Sequence, residues 1–133
     1  MGSWGTDVFD SDDAADLVGE LAEAPDPGAL LGEALDEALS PDEHAELPEM
    51  SAGLAAAALV ACVLGGSRPA AGPAQELVAG GHLGDVGGLR DRARAVLDRG
   101  LTDDETEWAQ LWEEAGELDE ARDHLRSYRA LLG

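Results

Sequence analysis

Fifteen consecutive residues in the middle of the chain, Met50-Ser-Ala-Gly-Leu-Ala-Ala-Ala-Ala-Leu-Val-Ala-Cys-Val-Leu64, carry no charge. Wound as a helix at 100° per residue, this stretch is apolar nearly all round, so it has no face to turn to water. It is also a poor membrane span. A span needs about 20 strongly apolar residues, whereas much of this run is Ala, Gly and Ser, and no Lys or Arg precedes it. What remains is a helix enclosed by other helices of the same chain. Composition agrees: aromatics make up 4% of the 133 residues and Ile is absent, whereas a sandwich or barrel favours Val, Ile, Thr and Tyr. The scaling of surface with mass gives roughly 13,000 Å² buried on folding, enough for one core without disulfides. The expected fold is an all-α, compact single-domain bundle of about five main helices spanning residues 1–133.

Pro, Gly and capping residues punctuate the rest of the chain. Residues 1–10 read as an irregular N-terminal strap whose large apolar groups are Trp4 and Phe9. A first helix starts near Asp10 or Ser11, with Ala14, Leu17, Val18, Leu21 and Ala24 inward. Asp26-Pro27 opens a second helix, running to about Leu39 with an apolar face broad enough for two neighbours. Ser40-Pro-Asp-Glu43 has capping-box spacing and fits a short helical turn. After the central helix, residues 65–73 and 80–88 read as flexible connections around a short helix at 74–79. A helix over about 89–99 is closed by Gly100. Thr102 and Glu105 then form a second capping-box pattern ahead of Trp108, Leu111, Trp112 and Ala115, read as one narrow inward seam. The last helix carries Leu118, Ala121, Leu125, Tyr128 and Leu132.

Charge narrows the partners. The net value is −21, and residues 1–67 contain no Lys or Arg. Such a chain repels nucleic-acid phosphate and an anionic membrane surface. A basic protein partner, or self-association through the few cations, remains compatible. Nothing at the N-terminus has the basic and apolar regions of a signal peptide, so the expected compartment is the cytoplasm.

No residue set stands out as catalytic. Cys62 has no basic neighbour to stabilise a thiolate, and reads as a buried, inert thiol. His44, His82 and His124 lie in separate segments without metal-ligand spacing. The Asp10–Asp16 segment is rich in carboxylates but lacks the alternating oxygens and Gly of a calcium loop, so neither a metal nor a cofactor is expected. The Gly-rich segment 80–88 has no Lys for a phosphate and follows no strand. Arg90, Arg92 and Arg94 are expected to pair locally with Asp91 and Asp98. Arg122, Arg126 and Arg129 form the densest positive row, flanking the Leu118/Leu125/Leu132 face, and suit a clasp on an acidic element: the first helix or a second copy. Trp4, Phe9, Asp12 and Asp13 are the candidate lining of a ligand slot, the alternative being a strap pinned across the bundle.

The opening Trp4-Gly5-Thr-Asp-Val-Phe9-Asp-Ser-Asp12-Asp13-Ala-Ala-Asp16 resembles the start of the bacterial domain-of-unknown-function family 4259, whose members open W-G-x-x-x-F-x-N-D-x-A-x-D. Ser11 stands here at the Asn position. The Ala-rich middle and the segment Leu111-Trp112-Glu113 extend the resemblance over most of the chain. It implies a helical, cytoplasmic, bacterial protein and brings no activity with it. The functional expectation is a small acidic protein–protein interaction module that is not an enzyme. The alternatives are an immunity- or antitoxin-like inhibitor of a basic partner, and an enzyme or small-ligand or metal binder using the acidic N-terminal motif.

Overall fold

A computed structural model describes residues 9, 12–39, 47–67, 73–81 and 83–132. These residues form seven α-helices: α1 Asp12–Glu23, α2 Pro27–Leu39, α3 Leu47–Gly65, α4 Pro73–Ala79, α5 Arg90–Thr102, α6 Glu107–Ala115 and α7 Leu118–Leu132. A one-turn 3-10 helix, Gly87–Leu89, leads into α5, and there is no strand among the described residues. The accessible surface of 6817 Å² is close to the roughly 6,600 Å² expected for a compact monomer of this mass. The fold is all-α, with seven helices where about five were expected. The shortest of the seven, α4, is the short helix expected at 74–79.

α3 is the enclosed helix. Leu54 to Ala61 are all fully buried, and α1, α2, α4, α5, α6 and α7 pack around it. Its closest neighbour is α2, where small residues let the backbones approach. A Cβ on Gly53 would stand 2.3 Å from the Ala38 Cβ and 3.2 Å from the Ala34 carbonyl oxygen. α2 starts where the sequence places it: the Asp26 carboxylate accepts a hydrogen bond from the Ala29 amide at 3.3 Å, ahead of Pro27.

Two sequence expectations fail at α5. The helix does not close at Gly100 but continues to Thr102, because Gly100 is a buried helical residue pressed against Leu125 and Leu54. Thr102 therefore does not cap α6; its hydroxyl donates to the Asp98 carbonyl within α5 at 2.8 Å. The segment expected as a flexible connection at 80–88 sends Leu83 and Val86 into the core. The cap of α1 at Asp10 or Ser11 and the turn at 40–43 lie outside the described residues.

The candidate functional site

The cationic row on α7 is committed within the chain. The Arg122 side chain is only 13% exposed; its Nε donates to the Gly100 carbonyl at 3.0 Å, and its Nη2 pairs with Asp104 at 2.8 Å. Arg129 pairs with Asp98 on α5 at 2.9 Å. Arg126, 58% exposed, pairs with Asp123 on its own helix. The clasp is thus on α5 and the loop after it, where the sequence had pointed to the first helix or a second copy. The other arginines reach further than their sequence neighbours. Arg92 bonds Asp36 on α2 at 3.3 Å, replacing the expected local pair. Arg99 bonds Asp103 at 3.2 Å and the Ala38 carbonyl at 2.6 Å, and Arg90 donates to the Leu132 carbonyl. A common logic links Arg90, Arg99 and Arg122. Each meets a carbonyl at the C-terminal end of a helix (α7, α2 and α5), where acceptors are left over and the helix dipole is negative.

The N-terminal candidates divide. Phe9 is half-buried and meets the Tyr128 ring edge to face, with centroids 6.0 Å apart and planes at 86°. Trp4 lies outside the described residues, as do His44 and His82. Asp12 and Asp13 occupy the first turn of α1, where the positive helix end favours carboxylates. Among the described residues no three His, Cys, Asp or Glu side chains are placed to hold a metal ion. Cys62 is a buried thiol.

The surface that the sequence missed is the corner formed by α6 and the first turn of α7. Thr106 starts α6, its hydroxyl accepting from the Ala109 amide at 3.1 Å. Gly116 ends it with φ of 76°; its amide bonds the Glu113 carbonyl and the Glu117 amide bonds that of Trp112, a Schellman closure. These two ends hold α6 to nine residues, of which only Trp108 and Ala109 are buried. Leu111 is 46% exposed, Trp112 is half-buried and Ala115 is exposed. The seam is therefore buried at Trp108, packed against the core at half-buried Trp112, and open at Leu111 and Ala115. Among the described residues α6 packs on α3 and α7.

Carboxylates ring this uncovered stripe. Residues 103–120 contain nine acids and no Lys or Arg. Glu113 lines two shallow hollows. One, about 440 Å³, is shared with Gln110 and Glu114; the other, about 370 Å³, with Asp104, Gly116, Leu118 and Asp119. The signal that could have found the corner was present: a short amphipathic helix between two strong stops, with acids on both sides of Leu111 and Trp112. What the sequence could not show is that no described helix covers Leu111 and Ala115.

Among the described residues no helix is long and apolar enough to cross a membrane. No curated protein and no solved structure matches the sequence. The family model described as domain of unknown function DUF4259 matches residues 2–124, so the chain belongs to that family.

Proposed function

We propose that this protein is a small, acidic, non-catalytic interaction module of the cytoplasm that engages another protein through the α6–α7 corner. The observation that carries the reading is Leu111, left 46% exposed beside half-buried Trp112 on a helix whose two ends are both firmly capped. An exposed apolar stripe inside a polar rim has the anatomy of a binding patch, with aromatic and aliphatic anchors at the centre and charges at the edge. The hollows beside it are shallow and lined largely by Gln and carboxylates, which suits a protein surface better than an enclosed small molecule. A standard interface takes about 800 Å² from each partner, so contact would extend from α6 onto the start of α7. Inhibition of a basic protein is one form this activity would take.

The test is site-specific cross-linking in producing cells. A photoreactive residue at Gln110, exposed and next to Leu111, is expected to trap a discrete protein adduct. The same residue at Glu33, on the exposed face of α2, is the control. Adducts from Glu33 and none from Gln110 would overturn the assignment of the corner.

A further inference from the structure

We infer that the occupant of the α6–α7 corner is a cationic amphipathic helix of another protein, which sets Arg or Lys side chains on the carboxylates and an aliphatic side chain on Leu111 and Trp112. This rests on the interaction reading above and adds the chemistry of the partner.

Of the chain's eight arginines, Arg90, Arg92, Arg99, Arg122, Arg126 and Arg129 are all bonded within the fold. At the corner Asp103 and Asp104 are matched this way, by Arg99 and Arg122. Glu105, Glu113, Glu114, Glu117, Asp119 and Glu120 are exposed around Leu111 in a segment without a cation. These carboxylates suit a positive counterpart brought by a partner. A second copy is a poor source, because it brings a further −21 and has six of its eight arginines engaged in its own fold. Nucleic acid and an anionic membrane are repelled by the same charge. A basic protein surface is attracted.

The shape selects the form of that surface. The described residues contain no strand, so the corner offers no sheet edge on which an extended peptide could pair its backbone. Recognition must run through side chains. A partner helix can present one apolar stripe with cations on both flanks. That matches an apolar stripe, Leu111, Trp112 and Ala115, flanked by a hollow at Gln110, Glu113 and Glu114 and another at Glu113, Leu118 and Asp119. Burial of the stripe supplies the short-range attraction. The rim carboxylates stay partly hydrated, so their main effects are on association rate, orientation and salt dependence.

The experiment uses the full chain and a labelled synthetic helix of about 15 residues, four turns, with Leu on one face and Arg on the other. Binding is followed by fluorescence anisotropy at low salt. The expected result is saturable one-to-one binding, at least ~10-fold weaker when salt is raised well past physiological strength. Glu113→Lys with Glu114→Lys should weaken it by about 10-fold or more, and Leu111→Ser by about 5-fold or more, with helical circular dichroism unchanged because all three side chains are exposed. The control pair, Glu33→Lys with Glu37→Lys on α2, changes net charge equally and should move affinity by less than about 3-fold. An equal loss in the control pair overturns the proposal, since the peptide would then only sense net charge. Equal binding of a scrambled peptide of the same composition overturns the helical face. Equal binding of an uncharged amphipathic helix overturns the cationic partner, while a cross-link from Gln110 would leave the corner an interface. Absence of binding overturns it as well.

Discussion

Gly53→Ala sets two well-defined effects against each other, and the structure says which one wins. In the interior of α3, replacing Gly by Ala should favour the helix by about 1 kcal/mol. The new methyl, however, would sit 2.3 Å from the Ala38 Cβ and 3.2 Å from the Ala34 carbonyl oxygen. Carbon atoms in comfortable contact stand about 3.5–4.0 Å apart, so α2 and α3 must separate locally by more than ~1 Å. Both neighbouring atoms belong to or adjoin helical backbone, and no rotamer change relieves the contact. Overpacking of a tight core typically costs about 1–3 kcal/mol. At the upper end of that range, the net destabilisation is about 2 kcal/mol after the helix gain. With an unfolding entropy of about 2.1 cal/mol/K per residue, each kcal/mol moves the Tm by about 4 °C, so the variant should melt about 7 °C lower. A double-mutant cycle isolates the cause. Ala38→Gly alone should cost about 1–2 kcal/mol from lost burial and helix propensity. Combining it with Gly53→Ala moves the methyl across the interface, where it meets the Ala38 Cα at 3.6 Å, an ordinary contact. The double variant should melt above the additive value, with a coupling of at least ~1.5 kcal/mol. The assay is thermal unfolding by circular dichroism. A Gly53→Ala protein that melts higher than the parent would show that helix propensity dominates, and would refute the close α2–α3 approach.

The arginine row and the charge give two further expectations. Arg122→Gln should destabilise by about 1–3 kcal/mol, because it removes a charge-assisted bond to the Gly100 carbonyl and leaves that group without its partner. Arg126→Gln, whose pair with Asp123 is exposed, should stay within about 0.5 kcal/mol. Urea titrations would read both, and equal losses would refute the distinction between them. Raising sodium chloride from about 0.1 M to 1 M shortens the Debye length from about 10 Å to 3 Å. With a net charge of −21, self-repulsion should be screened and the Tm should rise smoothly with monovalent salt, whatever the cation. A falling Tm would mean that the Arg–Asp pairs outweigh the repulsion. Stabilisation saturating at micromolar Ca²⁺ or Mg²⁺ would reveal a cation site and overturn the expectation that no metal binds.

The charge-free run at 50–64 decided the class of fold on its own, because a helix without a polar face is stable only when surrounded. Local chemistry also fixed several helix ends. The Asp26 cap ahead of Pro27 starts α2, and the bond from Ser67 to the Cys62 carbonyl across Gly66, at φ 70°, ends α3. The stop at Gly116 is equally local. Capping and glycine signals depend on a few adjacent residues, so they can be read before the chain folds. Of the residues that the period turns inward, Ala14, Leu17, Val18 and Leu21 are buried on α1, whereas Ala24 lies past its end and is half-buried. The tertiary structure decided everything that depends on a neighbour. Gly100 reads as a helix stop but lies inside α5, because Leu125 and Leu54 take the space its missing side chain leaves. The capping-box pattern pointed to Thr102 as the start of α6, but the longer α5 absorbs that residue and Thr106 caps α6 instead. Arg90, Arg92, Arg99, Arg122 and Arg129 find partners 18 to 61 residues away, which spacing along one helix cannot show. Leu111 and Leu125 carry the same side chain on amphipathic helices; one is 46% exposed and the other fully buried. The period identifies an apolar face in both, but whether that face is covered depends on where the other helices pack.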